Sequence, residues 1–111
     1  MYKSTRDASK RQEKAIAKSL GGRRTANSGA GKFDKSDVFI GADWSIEAKT
    51  CMTPKSSFSI KKQWLEKMKE EQFACNKSYS ALCFDFGDEG NRYYIIDEQT
   101  FKQIMELMKE E

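Results

Sequence analysis

The sequence has no histidine, a single proline, and three cysteines (Cys51, Cys75, Cys83), an odd number at no metal-ligand spacing. These absences argue against a disulfide framework and a structural zinc site, and point to reduced thiols in or near the core. No apolar run approaches transmembrane length, and the opening "MYKSTRDASKRQEK" has no apolar h-region. The expectation is a soluble, non-secreted, cytoplasmic protein. At 111 residues there is length for one domain with one core and no room for a second. Charged residues at 33% make the chain polar for a globular protein, but 12% aromatic content argues against disorder.

The charge that is present is unevenly spread. Residues 1–35 hold ten Lys/Arg against three Asp/Glu; residues 36–111 hold ten against fourteen. A basic N-terminal third on an acidic body suggests an anionic partner, with nucleic acid the first candidate; a solvated basic helix face would look the same.

Residues 7–20 suit a helix capped by Asp7 and stopped by Gly21-Gly22, with Ala15, Ile16 and Leu20 as its apolar stripe and Glu13 at the border of the buried face. Residues 1–6 form a basic, flexible end. "GGRRTANSGAGKFDKS" (21–36) is a Gly/Ser/Asn-rich basic loop with no secondary structure assigned. It is not a P-loop, since Ala26 stands where that motif needs glycine and Phe33 where it needs Ser/Thr. Asp37–Ile40 and Trp44–Thr50 read as a hairpin around Gly41-Ala42-Asp43.

After the loop "CMTPKSSF" (51–58), residues 59–75 suit a helix with Ile60, Trp64, Leu65 and Met68 on one side and Lys and Glu opposite. Strands 79–87 and 92–98, joined by "DEGN" (88–91), precede a last helix led by Asp97 or Glu98. Its apolar residues Phe101, Ile104, Met105 and Met108 read as core. The order is α-β-β-α-β-β-α.

Three charges interrupt the apolar hairpin: Asp37, Glu47 and Lys49. Residues two apart in a strand share a face, so Glu47 and Lys49 point together and Ile46 and Ala48 point opposite. With a turn over 41–43, Ile40 pairs with Trp44 and Asp37 falls opposite Glu47, their β-carbons roughly 5 Å apart. Two adjacent carboxylates repel unless something neutralises them, and a divalent cation does so. Mg²⁺ takes carboxylate oxygens and works on phosphates. Lys49 could orient or deprotonate a water, or stabilise charge developing on the phosphate. Taken alone, Glu47-Ala48-Lys49 is far more often a commonplace solvent-facing strand edge, since short E-x-K strings occur by chance in Lys/Glu-rich chains.

The sequence of features is more specific than any one of them. An early helix with Glu13, a basic Ser/Gly loop, Asp37 at a strand start, E-A-K on the next strand, and a following helix with Gln63 resemble the PD-(D/E)XK nucleases. Within them the chain is similar to the small Holliday-junction resolvases of archaeal type and their phage-borne relatives. The resemblance is best over residues 10–65, and "SYSALCFDFGDEGNRYYIID" fits the closing strands. Ser36, not proline, precedes the acid. The Asp37–Glu47 separation is short for these nucleases, which leaves Asp34 and Asp43 as alternative ligands.

The resemblance implies a restriction-endonuclease-like α/β (α+β) core, a mixed central sheet flanked by helices. It implies Mg²⁺, or Mn²⁺, held by Glu13, Asp37, Glu47 and the backbone carbonyl of Ala48, with Lys49 as catalytic lysine. Ser28 would assist near the scissile phosphate and Gln63 would support the site from its helix. DNA contact would fall to Arg23, Arg24, Ser28, Lys32, Lys55 and Ser56. No helix has base-reading residues at the right spacing, which favours recognition of backbone and shape. Resolvases of this type are homodimers acting on four-way junctions; Phe58 and Trp64, or the C-terminal helix, are the candidate dimer surfaces. The residues leave open a related nuclease acting on flaps, nicks or duplex, a non-catalytic DNA-binding module, and an RNA-directed enzyme.

Overall fold

A computed structural model describes residues 4–25, 37–87 and 90–110. The first helix, α1, runs Thr5–Leu20, and Ser4 caps it: its Oγ accepts the Asp7 backbone N–H at 3.1 Å. Such a cap contributes about 1 kcal/mol. Asp7 therefore sits in the first turn, where its charge complements the helix dipole, and is not the cap. Thr5 and Arg6, expected in a flexible end, are helical.

Gly21, at φ 70°, closes α1, and the Gly22 N–H donates to the Ala17 carbonyl at 2.8 Å. A β-carbon on Gly22 would stand 2.5 Å from the Phe39 carbonyl oxygen, so only glycine lets the chain pass this close. That approach lays Arg23–Arg24 (β1) against Val38–Ile40 (β2) as an antiparallel pair. The reading of 21–36 as structureless is thus corrected at its start.

Strand β3 is Trp44–Lys49, β4 is Tyr79–Phe84 and β5 is Tyr93–Ile95. The sheet order is β1-β2-β3-β4-β5. β3 and β4 are parallel, joined through helix α2 (Lys62–Ala74), and the other pairs are antiparallel. With α3 (Glu98–Lys109), the chain is an α+β fold of a five-stranded mixed sheet and three helices.

Strand alternation divides the hairpin between two layers. On one face Val38, Ile46, Ala81 and Cys83 pack with Ile16 of α1 into the buried core. On the other, the Ser80 hydroxyl donates to the side-chain amide oxygen of Gln72 on α2 at 2.7 Å, and Met68 is buried. Glu47 and Lys49 belong to this α2 face by the same alternation. Cys51 and Cys83 are buried and Cys75 half-buried, and none of the three is in a disulfide. Burial pushes the Cys83 thiol up to about 11.

Helix α2 starts at Lys62, three residues later than expected, with no side-chain cap. The preceding chain stays extended because Phe58 stacks on Phe84, at 5.3 Å between ring centres, and meets Trp64 at 6.2 Å. Strand β4 ends at Phe84, short of Gly87. The buried Asp85 carboxylate turns the chain by accepting from Thr50 Oγ1 at 2.6 Å and from the Gly87 N–H at 2.9 Å. β5 is likewise shorter than expected, because Asp97 caps α3. The largest correction is α3: Phe101, Met105, Leu107 and Met108 are exposed, so its apolar face is not core in this chain. Among the described residues, no helix is long and apolar enough to cross a membrane.

Candidate active site

The hairpin register sets the site. Ile40 pairs with Trp44 and Val38 with Ile46, across a turn at 41–43. The paired register ends there; Asp37 lies one residue before β2, off the expected pairing with Glu47, but its carboxyl still lies beside that of Glu47. Asp37 is buried, its N–H donates to the Ile46 carbonyl at 3.1 Å, and its Oδ2 accepts the Ala48 N–H at 2.8 Å. Alternate residues of a strand turn both backbone groups to the same neighbour. The Ala48 carbonyl, a sequence-predicted ligand, therefore faces the Asp37 side of β3.

Around this pair opens a cleft of about 660 Å³, walled by Glu13 and Arg6 of α1, Arg24 of β1, the β3 residues Glu47 to Lys49, and Lys67 of α2. Glu13 is buried, and its Oε1 accepts from Arg24 Nε at 3.2 Å. Arg24, predicted as a DNA contact, is thus tied into the wall of the site. Lys49 Nζ lies 4.6 Å from the centre of the Trp64 ring, a cation–π contact that holds the ammonium beside Glu47's face. Its carbonyl accepts from Gln12 Nε2 at 2.6 Å, pinning the end of β3 to α1.

The electrostatics centre on Glu47. Burial first, then the adjacent Asp37 and Glu71 carboxylates, push its carboxyl up to about 10. Glu47 Oε1 and Glu71 Oε1 are both buried without a hydrogen-bond partner. Glu71 escaped the sequence reading, which placed Lys and Glu of this helix opposite the apolar side. Its signal was there: it follows Trp64 by seven residues and Met68 by three, so it lies on the buried stripe. The basic wall residues Arg6, Lys10 and Lys67 also escaped it, since no spacing singles them out.

No protein-family model, curated protein or solved structure matches this chain.

The remaining predicted residues are scattered. Arg23 is exposed and stacks on Phe39, its guanidinium carbon 5.1 Å from the ring centre. Lys55 and Ser56 are exposed on the loop after β3, where the Lys55 N–H donates to the Phe86 carbonyl at 2.8 Å. Gln63 is exposed in the first turn of α2 and does not line the cleft; the glutamine that braces the site is Gln12. Asp43, the alternative ligand, is exposed at the turn and accepts from Ser78 Oγ at 3.3 Å, away from the cleft. Ser28, Lys32 and Asp34 lie outside the described residues.

Among the described residues, no three His, Cys, Asp or Glu side chains are grouped closely enough to hold a metal ion as they stand. The donor chemistry nevertheless fits a hard divalent cation. The donors are all oxygen, the Glu47 carboxyl keeps one buried oxygen without a hydrogen-bond partner, and the repulsion between Glu47 and Asp37 is what such an ion relieves.

Proposed function

We propose that the protein is a Mg²⁺-dependent, structure-specific DNA endonuclease with a restriction-endonuclease-like core, a Holliday-junction resolvase of the PD-(D/E)XK kind, working in the cytoplasm of its cell or, if phage-borne, of the host. One observation carries the reading: Asp37, Glu47, Lys49 and the α1 carboxylate Glu13 line a single cleft whose other walls are basic. That combination suits a phosphodiester backbone better than a neutral or cationic substrate.

Glu13, Asp37, Glu47 and the Ala48 carbonyl would hold Mg²⁺, or Mn²⁺. When bound, the ion supplies charge stabilisation at the scissile phosphate. Lys49, kept in place by Trp64, orients the attacking water or stabilises the charge developing on the phosphate. Arg6, Lys10 and Lys67 draw the phosphate backbone into the cleft, and Arg23, Lys55 and Ser56 extend that contact beyond it. Arg24 serves both purposes, holding Glu13 while facing the cleft. A four-way junction needs paired cuts, which a two-fold homodimer provides. The exposed apolar face of α3 is the better dimer surface, because Phe58 and Trp64 are already committed to an aromatic cluster with Phe84.

The test is a gel assay of the full chain on a four-way junction, a flap and linear duplex, with Mg²⁺ or with EDTA. The expected result is Mg²⁺-dependent, paired cleavage of the junction in preference to the others. Lys49→Ala should lower cleavage by about 10²–10⁴-fold and leave junction binding largely intact. Equal cleavage by this variant would overturn the assignment of Lys49; preference for flap or duplex would move the protein to another branch of the same nucleases.

A further inference from the structure

The three helices arrange their charges differently. On α3, Lys102 lies 3.8 Å from Glu98 and Lys109 lies 3.6 Å from Glu106, each pair within one turn. On α2, Lys67 lies 3.6 Å from Glu71, again one turn away. On α1 the residues four apart are Arg6, Lys10, Lys14 and Lys18, all basic and all exposed. Of the two acids of α1, Asp7 lies in the first turn, and Glu13 is buried and accepts from Arg24. Lys14 and Lys18 have no acid three or four residues away on either side.

Like charges four apart repel and weaken a helix, whereas the opposite pairs of α2 and α3 support theirs. Arg6 also stands near the positive end of the helix dipole, which disfavours a cation there. Of the four, only Lys18 sits in the last turn, where the dipole favours it. Helix stability therefore does not account for the row, but an anion laid along it does. Arg6 and Lys10 line the cleft, while Lys14 and Lys18 do not. Residues four apart form a ridge inclined to the helix axis, so the row climbs from the cleft rim onto the outer surface of α1. From Arg6 to Lys18 it rises about 18 Å. Over that length one DNA strand presents about five phosphates. A regular row of one sign suits such a polyanion, whereas a lone phosphate or carboxylate would engage one member of it.

We propose that Arg6, Lys10, Lys14 and Lys18 form a phosphate track along α1, over which one duplex arm of the DNA runs out from the cleft. The inference rests on the DNA reading above and deepens it by giving the path of an arm beyond the catalytic residues.

The experiment is fluorescence anisotropy of labelled DNA duplex with the full-length protein in EDTA, at salt from about 50 to about 200 mM. The proteins are the wild type, Lys14→Gln/Lys18→Gln, Lys14→Arg/Lys18→Arg and, as a control on α3, Lys102→Gln/Lys109→Gln. Thermal melts followed by circular dichroism check folding; Lys14→Gln/Lys18→Gln should melt no lower than the wild type, because repulsion is relieved. Each lost phosphate contact lowers the slope of log affinity against log salt by about 0.9, so this variant should lose nearly two units of slope. Across the salt range the wild type should then weaken about tenfold more than the variant. The arginine variant and the α3 control should keep the wild-type slope. A wild-type slope in Lys14→Gln/Lys18→Gln would overturn the track, and Mg²⁺-dependent cleavage by the wild type would then leave the nuclease reading standing. A reduced slope without any cleavage would keep the track and remove the nuclease. Wild-type DNA binding by that variant with lost binding of labelled oligoglutamate would assign the ridge to an acidic protein partner and overturn the proposal. Absence of DNA binding by the wild type overturns both.

Discussion

Asp97 caps α3 and meets Lys69 of α2; Glu47 lies in β3 and neighbours Glu71 of the same helix. Both carboxylates lose some hydration, yet their surroundings take them in opposite directions. For Asp97, burial pulls upward, but the Thr100 side chain, Lys69 and the Thr100 backbone N–H outweigh it and bring the carboxyl to about 2. The Thr100 N–H donates at 2.9 Å and Lys69 Nζ lies 2.9 Å away. Glu47 has no donor on its buried oxygen and two acids beside it, so burial and repulsion act together and bring it to about 10. The difference separates a carboxylate that completes the fold from one that the fold leaves incomplete. A cap needs nothing more; a carboxylate among carboxylates is stable only with a proton or a cation.

Removing the Glu47 charge should break this contrast most sharply. Glu47→Gln should lose junction cleavage by at least about a hundredfold. In EDTA at neutral pH the same variant should melt higher than the wild type by roughly 4 °C, since the neutral amide needs no proton taken up on folding and about 1 kcal/mol is at stake. An unchanged or lower melting temperature would show that Glu47 is not repelled by its neighbours.

The backbone that places the site is the next target. Gly22→Val drives a side chain into the Phe39 carbonyl and Ile40, so it should cost about 1–3 kcal/mol in denaturant titrations. Wild-type stability would mean that β1 can move off β2 freely, and that Arg24 needs no fixed position.

A pH series compares the two carboxylates directly. Glu47 keeps a proton in the folded state that the unfolded chain releases, so the folded state binds more protons between pH 4.5 and about 10. Stability in EDTA should therefore fall as pH rises through that window, and Glu47→Gln should flatten the slope. Asp97 has the opposite sign: its contribution is present above pH 3.8 and is lost as pH falls toward about 2. A wild-type curve that rises from pH 5 to 9 would contradict the assignment for Glu47.

The smallest effect belongs to the cap. Asp97→Ala should cost about 1 kcal/mol of stability with cleavage of the junction unchanged. Lost cleavage would tie α3 to the active site, against the separation drawn here.

Much of this site is legible in the sequence. The period of two and a three-residue turn were enough to set the pairing from Ile40–Trp44 to Val38–Ile46 and to put Lys49 on Glu47's face, because hairpin register is a local property, whereas Asp37 slips off the expected pairing with Glu47 by bonding the Ile46 carbonyl. The misreadings have a shared cause. Asp7 and Ser4 are both good caps, and the choice between them turned on one hydrogen bond. Helix α2 was expected from Ser59 because propensity could not see Phe58 stacking on Phe84, a contact 26 residues away in the chain. The apolar stripe of α3 was taken for core because periodicity tells which side is apolar, not whether anything covers it. Gln63 was preferred to Gln12 on resemblance, while burial and the Lys49 carbonyl favour Gln12.

By itself, then, the chain's order of residues determined most of the helices and strands, the hairpin register from Ile40–Trp44 to Val38–Ile46, and the shared face of Glu47 and Lys49. These follow from alternation, turn length and capping, which act over a few residues. Tertiary structure decided the rest: that Arg24 engages Glu13, that Trp64 holds Lys49, and that Glu71 arrives beside Glu47 from a helix some twenty residues downstream. Those contacts depend on which face of the sheet each helix covers, and burial of apolar surface settles that only when the whole chain has packed.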